Sequence, residues 1–548
     1  MALQALPAEV PERTVRNLIE RCAAEQRDRT ALIAPSHLEG KEATLSYGEV
    51  QSLSGRLAAS LSELGVGKGD RIAILLDQDG AAESHLAYHA SHKLGAINVP
   101  LNTRYVAREL GFVIGFSKPR AVIFSPRFAE VLGGLSDALG GAALIEATAD
   151  PVLGESMAEA CGGEELAEPA AITEEDDADW IFTSGTTGNP KAVALTHANS
   201  VACAYQSRRL WGLDADSVYQ SFSPFFTSTG SHTNLLACLA AGCTYAIEPE
   251  FHVDETLHRI GRFGTTSIFL ISGVIQLIFD RVPPEDLFAN FDLGSLRRVC
   301  YGGQPMSAQF YARVEEILGE RMGLELVHLW GLTEGGTAGL MLPPELHSEG
   351  VKRAREYGLS IGTEGFNDWI EFKIVREGDD SEAKLGEVGE LCLRGPSVMD
   401  RYVNDKEATR KALAGGWLHT GDMGIIDEDG YVYFVDRKKQ MIRRGGLNIS
   451  SAEVEGVVTQ HPAVQEAAVV PKPNPVSEQE VRAVVVLKDG EEAEAVDIID
   501  FCSTRLADYK VPTEVDFIDS LPRNAMGRVI KGALTGEDTA LRGSARGA

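Results

Sequence analysis

Hydrophobic positions in the first 140 residues follow two alternating spacings. Continuous apolar runs at residues 71–76 and 121–124 are typical of buried strands. Residues 50–64 instead carry apolar side chains at every third or fourth position, which predicts a helix with one buried face. Because strands and helices alternate in this way, we expect an α/β sheet with helices on its faces.

The same alternation continues further along the chain. Residues 193–210 have helical spacing, whereas residues 150–179 are acidic, lack periodicity and indicate a loop that leads into a strand at Trp180. Three more apolar runs read as buried strands, at residues 265–270, 298–301 and 324–329. A large α/β domain is therefore expected in the N-terminal part of the chain.

After about Gly358 the pattern changes twice. Short alternating runs separated by Gly and Asp turns predict a β-rich, barrel-like subdomain over about 358–436. From about Asp436 onwards the chain reads as a small α+β domain. Its predicted elements are helices at 451–461 and 496–506 and strands at 464–470 and 481–487. The predicted domains are residues 1–436 and 437–548.

Composition narrows the function classes. The 548 residues include 80 acidic and 51 basic ones, for a formal net charge of −29, which argues against nucleic acid or an anionic membrane as the main partner. No run approaches the roughly 20 apolar residues that span a bilayer, and the first 13 residues do not resemble a signal peptide. The eight cysteines form no C-x-x-C pair. We therefore expect a cytoplasmic protein without a membrane span.

The most informative segment is residues 180–191, which read WIFTSGTTGNPK. Glycines allow backbone N–H groups to approach phosphate oxygens, hydroxyl groups add donors, and a lysine adds positive charge. The spacing is that of neither a Walker loop nor a dinucleotide-binding turn. A flexible surface loop is the alternative, but such loops rarely follow an apolar strand and end in Pro-Lys. The predicted phosphate-binding residues are Thr183, Ser184, Gly185, Thr186, Thr187, Gly188 and Lys191.

This segment resembles the core signature of the adenylate-forming enzymes, which include acyl- and aryl-CoA synthetases, nonribosomal adenylation domains and luciferase. It matches the family pattern except that Ala192 replaces the last glycine. The resemblance extends over nearly the whole chain and is greatest to the stand-alone acyl-CoA synthetases. It implies a large N-terminal domain and a small C-terminal lid.

Two further segments resemble family motifs that surround ATP. Residues 330–334 read WGLTE, and the resemblance implies that Trp330, Gly331 and Leu332 flank the nucleotide. It also implies that Thr333 contacts phosphate and that Glu334 binds Mg²⁺, for which a carboxylate is a suitable ligand. The second segment resembles the family's Gly-Gly turn and contains Gly302, Gly303 and Gln304. The resemblance implies that this turn approaches the adenine and lines the acid pocket. Taken alone, either segment could be an ordinary strand end and turn.

The C-terminal motifs concern the ribose, the lid and coenzyme A. Asp422 and Arg437 resemble the family residues that contact the ribose hydroxyl groups. The hinge is implied near 437–439, with Lys439 as the pivot. Three residues are implied to line the tunnel for the pantetheine arm of coenzyme A: Gly445, Gly446 and Leu447. Residues 389–395 and Tyr402 read as scaffold.

Two positions depart from the family pattern. The family's catalytic lysine, which bridges the carboxylate and the α-phosphate, is replaced by Arg528, whose planar guanidinium differs in shape from an ammonium group. Lys531, three residues on, is a candidate substitute. Thr227 stands where many members have a histidine that borders the acid pocket, which we expect Phe225, Phe226, Thr227 and Gly303 to line.

The sequence therefore predicts an ATP-dependent carboxylic acid–CoA ligase that forms an acyl-AMP intermediate and uses ATP, Mg²⁺ and coenzyme A. The predicted catalytic residues are Lys191, Thr333, Glu334 and Arg528. Two alternatives remain open: transfer of the acyl group to an amine or a carrier protein, and a homologue whose adenylation is impaired by Arg528. The acid's identity is not predicted, and a homodimer is plausible for the family.

Overall fold

A computed structural model describes twelve parts of the chain: residues 5–183, 190–303, 306–336, 339–354, 358–363, 369–376, 378, 381–438, 440–444, 447–474, 478–523 and 529–535. Up to residue 354, the described strands are β1 Thr30–Ser36, β2 Lys41–Ser46, β3 Arg71–Leu75, β4 Ile97–Pro100, β5 Ala121–Phe124, β6 Ala143–Glu146, β7 Glu155–Ser156, β8 Asp177–Thr183, β9 Lys191–Thr196, β10 Val218–Ser221, β11 Thr244–Ile247, β12 Ser267–Ile271, β13 Arg298–Gly302, β14 Glu325–Trp330 and β15 Leu340–Leu342. The α-helices there are α1 Val15–Glu25, α2 Tyr47–Glu63, α3 Ala81–Lys93, α4 Ala107–Ser117, α5 Ala129–Gly133, α6 Ser136–Leu139, α7 Met157–Ala160, α8 His197–Trp211, α9 Leu235–Ala241, α10 Val253–Phe263, α11 Ser272–Arg281, α12 Pro284–Asn290, α13 Ala308–Val314 and α14 Pro344–Arg353.

Two mostly parallel, eight-stranded sheets organise this region. One has the order β15-β14-β13-β12-β10-β11-β1-β2, and the other ends in β4-β3-β5-β6-β7. In the second sheet β8 pairs with β4 on one side and forms an antiparallel hairpin with β9 on the other. A buried core cluster joins residues of both sheets through helices α2, α3, α8 and α9. Every residue of α3 is buried, as expected of a helix packed on all sides.

The sequence prediction was wrong at the junction of β9 and α8. Residues 193–196 have helical spacing but belong to a strand, because β9 pairs with β8 along its length. The helix begins only at His197, where the Thr196 hydroxyl group accepts a hydrogen bond from the Asn199 N–H at 3.2 Å. The error matters because β8 and β9 carry the two ends of the predicted phosphate loop.

The β-rich region contains β16 Gly362–Thr363, β17 Glu371–Val375, β18 Gly389–Arg394, β19 Arg401–Tyr402, β20 Leu418–Ile426 and β21 Tyr431–Arg437, with helix α15 Lys406–Ala412. Five of these strands form an antiparallel sheet in the order β16-β21-β20-β18-β17. The sixth, β19, instead pairs with β9 and so joins this region to the sheet that carries the phosphate loop.

The last region contains strands β22 Ile442–Arg444, β23 Leu447–Ile449, β24 Val464–Asn474, β25 Glu478–Leu487 and β26 Glu514–Phe517, and helices α16 Ser451–Val458, α17 Ala495–Ser503 and α18 Lys531–Thr535. Its strands form one sheet with a separate apolar core. The predicted fold class is confirmed: a large N-terminal part of sheets and helices precedes a small α+β region. The boundaries at 436 and 437 stay a prediction. Among the described residues, no helix combines the length and apolar character needed to cross a bilayer.

Candidate active site

The phosphate-loop hairpin brings Thr183 and Lys191 together. These residues end β8 and begin β9 and are direct partners across the hairpin. The Thr183 hydroxyl group donates to the Lys191 carbonyl oxygen at 3.4 Å. The loop residues Ser184, Gly185, Thr186, Thr187 and Gly188 lie outside the described residues. The hairpin thus fixes both ends of the predicted loop.

Lys191 and Glu334 meet at one tyrosine. The Lys191 Nζ atom lies 5.0 Å from the centroid of the Tyr402 ring, within the range of a cation–π contact. The hydroxyl group of the same tyrosine donates to Glu334 Oε1 at 2.8 Å. Burial and the adjacent Glu334 carboxylate raise the pKa of Tyr402, so the phenol stays a donor at neutral pH. Tyr402, read as scaffold in the sequence, therefore orients two predicted catalytic groups.

The surroundings of Glu334 suit a magnesium ion. The Glu334 backbone is held by the Met399 N–H, which donates to its carbonyl oxygen at 2.8 Å. Tyr402 occupies one carboxylate oxygen, and no described residue bonds to the other. No group of three or more His, Cys, Asp or Glu side chains among the described residues could form a metal cage. A single carboxylate is the usual protein contribution when Mg²⁺ also binds substrate phosphates.

Thr333 lies beside the segment that directly follows the predicted pocket residues Phe225, Phe226 and Thr227 in the chain. Its hydroxyl oxygen is 2.9 Å from Ser228 Oγ. Ser228 is the first residue of a seven-residue π-helix, Ser228–Asn234, a rare element that is frequent at functional sites. Nothing in the apolar pattern predicts this helix, and sequence reasoning missed Ser228.

At the predicted ribose site, the Asp422 carboxylate contacts both Trp330 and Arg437. Asp422 is buried, and the Trp330 indole Nε1–H donates to its Oδ2 at 2.9 Å. Arg437 Nε lies 2.6 Å from Asp422 Oδ1. Gly421, with φ of +72°, turns the chain so that the neighbouring Asp422 carboxylate can face both partners. Trp330, Asp422 and Arg437, which come from three distant sequence motifs, are thus brought together.

Glu390 connects this turn to the predicted hinge. Its Oε1 accepts from the Gly421 N–H at 3.0 Å, and its Oε2 lies 3.0 Å from Lys438 Nζ. The Lys438 N–H also donates to the Gly421 carbonyl oxygen at 2.9 Å. Residue 438 is therefore fixed to the β-rich sheet, directly before the predicted pivot. The pivot Lys439 lies outside the described residues.

The Gly-Gly turn follows β13. A Cβ atom at Gly302 would lie 2.2 Å from the Leu329 carbonyl oxygen of the neighbouring strand, so no larger residue fits there. Gly303 follows with φ of +89°, a backbone conformation that favours glycine. The nearest atom to a Cβ built on Gly303 is Cγ2 of Ile271, at 3.8 Å. Gln304 lies outside the described residues.

Three predicted acyl-pocket residues are almost fully buried. The Phe225 ring packs edge-on against His85 and Tyr88, with centroids 5.5 and 6.0 Å away. Phe226 and Thr227 are 8% and 7% exposed, so neither offers much surface to a ligand. The Thr227 hydroxyl group donates to the Pro224 carbonyl oxygen at 2.7 Å and accepts from the Gly230 N–H at 3.0 Å. Thr227 therefore caps the π-helix, and its assignment to the pocket stays a prediction.

Several of the predicted C-terminal residues lie outside the described parts of the chain. Gly445, Gly446 and Arg528 lie outside them, and Leu447 is described only by its backbone, at the start of β23. Lys531 is described: its Nζ lies 2.6 Å from Ser451 Oγ and 2.7 Å from Glu455 Oε1. The candidate substitute lysine is thus paired within the C-terminal region.

A buried polar cluster behind the site was not predicted as such. His232, in the π-helix, is fully buried, and its Nδ1 lies 3.5 Å from Oδ2 of buried Asp179 on β8. Burial opposes its protonation, but Cys203 and Asp179 outweigh burial and raise the pKa of His232 to about 10. Asn98 also donates to Asp179, at 2.8 Å. His232 and Asp179 thus lie against each other where the π-helix meets the strand that leads into the phosphate loop.

Comparison with known proteins agrees with this geometry. A sequence model of the AMP-binding enzyme family matches residues 19–403, and one of the AMP-binding enzyme C-terminal domain matches residues 453–528. The chain is 31% identical over 516 residues to a crotonobetaine/carnitine–CoA ligase of Salmonella paratyphi A, and the match covers 92% of this chain and 95% of that one.

Solved structures give the same result. The o-succinylbenzoate CoA synthetase MenE from Bacillus subtilis, in complex with its acyl-adenylate intermediate, superimposes with a TM-score of 0.80 at 28% identity, covering 94% of this chain and 97% of that chain. ATP-bound MatB from Rhodopseudomonas palustris superimposes with a TM-score of 0.82 at 25% identity. The match covers 95% of this chain and 98% of that chain. The chain therefore belongs to the AMP-binding enzyme family, among the adenylate-forming acyl-CoA ligases.

Proposed function

We propose that this enzyme joins a carboxylic acid to coenzyme A in two steps. In the first step, an oxygen of the substrate carboxylate attacks the α-phosphorus of ATP. The new P–O bond replaces the bond to the bridging oxygen, and pyrophosphate leaves with its electron pair. In the second step, the thiol of coenzyme A attacks the acyl carbon, its proton is lost, and AMP leaves. The observation that carries the proposal is the convergence of Lys191, Thr333 and Glu334 around Tyr402 and Ser228, next to the Asp422–Arg437 pair.

Each of these groups has a role suited to its chemistry. Lys191 supplies positive charge for the phosphates, and Thr333 supplies a hydroxyl donor. Glu334 would hold Mg²⁺, which neutralises phosphate charge when bound. A solved structure of MenE in complex with ATP and a magnesium ion supports the use of this metal. Asp422 accepts hydrogen bonds from the ribose, and Trp330 flanks the adenine. No enzyme side chain has to remove a proton in the first step, because the carboxylate is already ionised.

Coenzyme A is the proposed acceptor because the relatives named above are CoA ligases. An amine or a carrier protein would leave the first step unchanged and alter only the second. The other alternative, an enzyme whose adenylation is impaired, is supported only by the presence of Arg528 at the family's lysine position. A cytoplasmic location and a homodimer also remain predictions.

The first step can be tested alone by acid-dependent exchange of labelled pyrophosphate into ATP. The wild-type enzyme should catalyse this exchange with at least one member of a panel of aliphatic and aromatic acids. Glu334→Gln should slow the exchange by about 10²-fold at a fixed Mg²⁺ concentration, because the metal loses its carboxylate. Glu345→Gln, on helix α14, is the matched control and should leave the rate unchanged. Full activity of Glu334→Gln would contradict the assignment of Glu334.

A further inference from the structure

The hydroxyl group of Ser228 occupies a position that no motif assigns. Ser228 is partly exposed, whereas the five π-helix residues from Gly230 to Asn234 are buried. Its Oγ lies 2.9 Å from the Thr333 hydroxyl oxygen, and either group can be the donor. When two hydroxyl groups share one hydrogen bond, only one proton is used, so the pair keeps one O–H free to donate to a third group.

The neighbouring Thr227 cannot serve in the same way. Its hydroxyl proton is donated to the Pro224 carbonyl oxygen, and the Thr227 hydroxyl oxygen accepts from the Gly230 N–H. The residue is also buried, at 7% exposure. The polar group that this segment presents beside Thr333 is therefore the hydroxyl group of Ser228, one residue later in the chain.

The element that carries Ser228 is firmly held. The Asn234 side chain accepts from the Tyr219 hydroxyl group at 2.9 Å and donates to Ser221 Oγ at 3.0 Å. The buried His232 side chain lies 3.5 Å from Asp179 of β8. Within the helix, the Thr233 hydroxyl group donates to the Ser228 carbonyl oxygen at 3.2 Å. A donor on a supported element keeps its direction while charge moves in a reaction, which is what electrostatic stabilisation requires.

We propose that Ser228 is a substrate-contacting residue of the adenylation step and that the Ser228–Thr333 pair donates its free O–H to an anionic oxygen where the carboxylate meets the α-phosphate. The inference rests on the proposed function. No proton is transferred: the hydroxyl pair stabilises the negative charge while the new P–O bond forms and the bond to pyrophosphate breaks. The contact is strongest in the transition state, so its loss lowers kcat more than it raises KM.

The test compares Ser228→Ala, Ser228→Thr and Ser231→Ala in acid-dependent pyrophosphate exchange. Ser231 is the matched control, because it lies in the same π-helix and its buried hydroxyl group donates to the Thr227 carbonyl oxygen at 3.1 Å. We expect Ser228→Ala to lower kcat by about 10²-fold, as loss of one such donor does elsewhere, with each KM changed by less than about threefold. Ser228→Thr, which keeps a hydroxyl group, should recover most of this loss.

An exchange rate for Ser228→Ala within about twofold of wild type would overturn the proposal. An equal loss in Ser231→Ala would also overturn it, since the effect would then be structural. If the wild-type enzyme itself shows no acid-dependent exchange, the proposed function fails and the inference fails with it.

Discussion

Lys531 Nζ lies 2.7 Å from Glu455 Oε1, and this pair lies within the C-terminal region. The same carboxylate oxygen accepts from the Val469 N–H at 2.6 Å, so Glu455 links helix α16, strand β24 and the start of α18. Burial raises the pKa of Glu455 despite the nearby ammonium group. Lys531 is therefore engaged in holding this region together, which leaves Arg528 as the residue at the family's lysine position.

The first prediction separates these two residues. Lys531→Met should lower the melting temperature by several degrees, because it leaves the partly buried Glu455 carboxylate without its cation. Pyrophosphate exchange by the folded enzyme should stay within about threefold of wild type. Arg528→Lys should raise the exchange rate, since a compact ammonium group fits between carboxylate and phosphate better than a guanidinium.

Lys510→Met is the control, because Lys510 pairs with Glu453 at 2.6 Å in the same region. The two methionine variants should behave alike in melting and in exchange. A loss of exchange of about 10²-fold in Lys531→Met alone, with an unchanged melting temperature, would identify Lys531 as the catalytic lysine.

The second prediction concerns the Asp422 carboxylate. Asp422→Asn weakens the bonds with Arg437 and Trp330, because it removes the negative charge and replaces one of the two acceptor oxygens by an NH2 donor. We expect the KM for ATP to rise about 10- to 100-fold, which corresponds to the 1.5–3 kcal/mol of hydrogen bonds to a charged group. Trp330→Phe keeps an aromatic ring but loses the N–H donor, so its effect should be smaller. Titration calorimetry with ATP provides the direct measurement, and unchanged affinity in Asp422→Asn would remove Asp422 from the nucleotide site.

The third prediction concerns the bond between Tyr402 and Glu334. Tyr402→Phe keeps the ring beneath Lys191 but removes the hydroxyl group that orients the carboxylate. The Mg²⁺ concentration that gives half-maximal exchange should rise several-fold, on the order of the 10-fold loss typical of outer-shell partners. Tyr433→Phe is the control, because it removes a similar bond, to Asp427 at 3.1 Å, in the five-stranded antiparallel sheet of the β-rich region. Equal Mg²⁺ dependence in both variants would show that Tyr402 does not act through the metal.

The fourth prediction concerns pH and the histidines buried around α3. Burial lowers the pKa of His85 and His92 to about 4 and that of His197 to about 3. In the unfolded chain a histidine binds a proton below about pH 6.5, whereas these three stay neutral in the fold. The unfolded state therefore binds more protons, and stability should fall as the pH falls from about 6.5 to 4, by up to about 1.4 kcal/mol per pH unit for each histidine.

His232 has the opposite sign, because its pKa is raised to about 10. Its contribution to stability is complete below about pH 6.5 and is lost as the pH rises towards 10. Melting temperatures measured from pH 5 to 10 should therefore peak near neutrality. His92→Gln should lessen the decline on the acid side, whereas His252→Gln, at an exposed position, should not. A melting temperature that does not change with pH would contradict the neutral state of these histidines.

Much of the fold follows from local sequence patterns. The runs at Arg71–Leu75 and Ala121–Phe124 are strands because nothing polar interrupts them, and the Ser46–Glu49 capping box starts α2 close to the predicted position. The strand Lys191–Thr196 was missed because its apolar residues also suit a helix. The segment forms a strand because it pairs with β8 and β19, and no local pattern reveals that pairing.

In the candidate site, too, local sequence motifs could be recognised, whereas contacts between distant segments could not. Motif residues such as Asp422 and Glu334 could be predicted from the sequence because they stand in segments that resemble family motifs. Their roles stay predictions. The contacts of the supporting residues could not be predicted, since Tyr402, Glu390 and His232 contact segments far away in sequence. Thr227 shows the reverse case: a position chosen by motif has its hydroxyl group engaged in capping a helix.

The most direct test of the whole assignment is mass spectrometry of the products formed from ATP, Mg²⁺, coenzyme A and a pooled panel of aliphatic, aromatic and polycyclic acids. An acyl-CoA with equimolar AMP and pyrophosphate, and an acyl-AMP when coenzyme A is left out, is the predicted result. Acyl-AMP that persists in the presence of coenzyme A would move the second step to another acceptor. Folded protein that binds ATP but forms neither product with any acid would contradict the assignment.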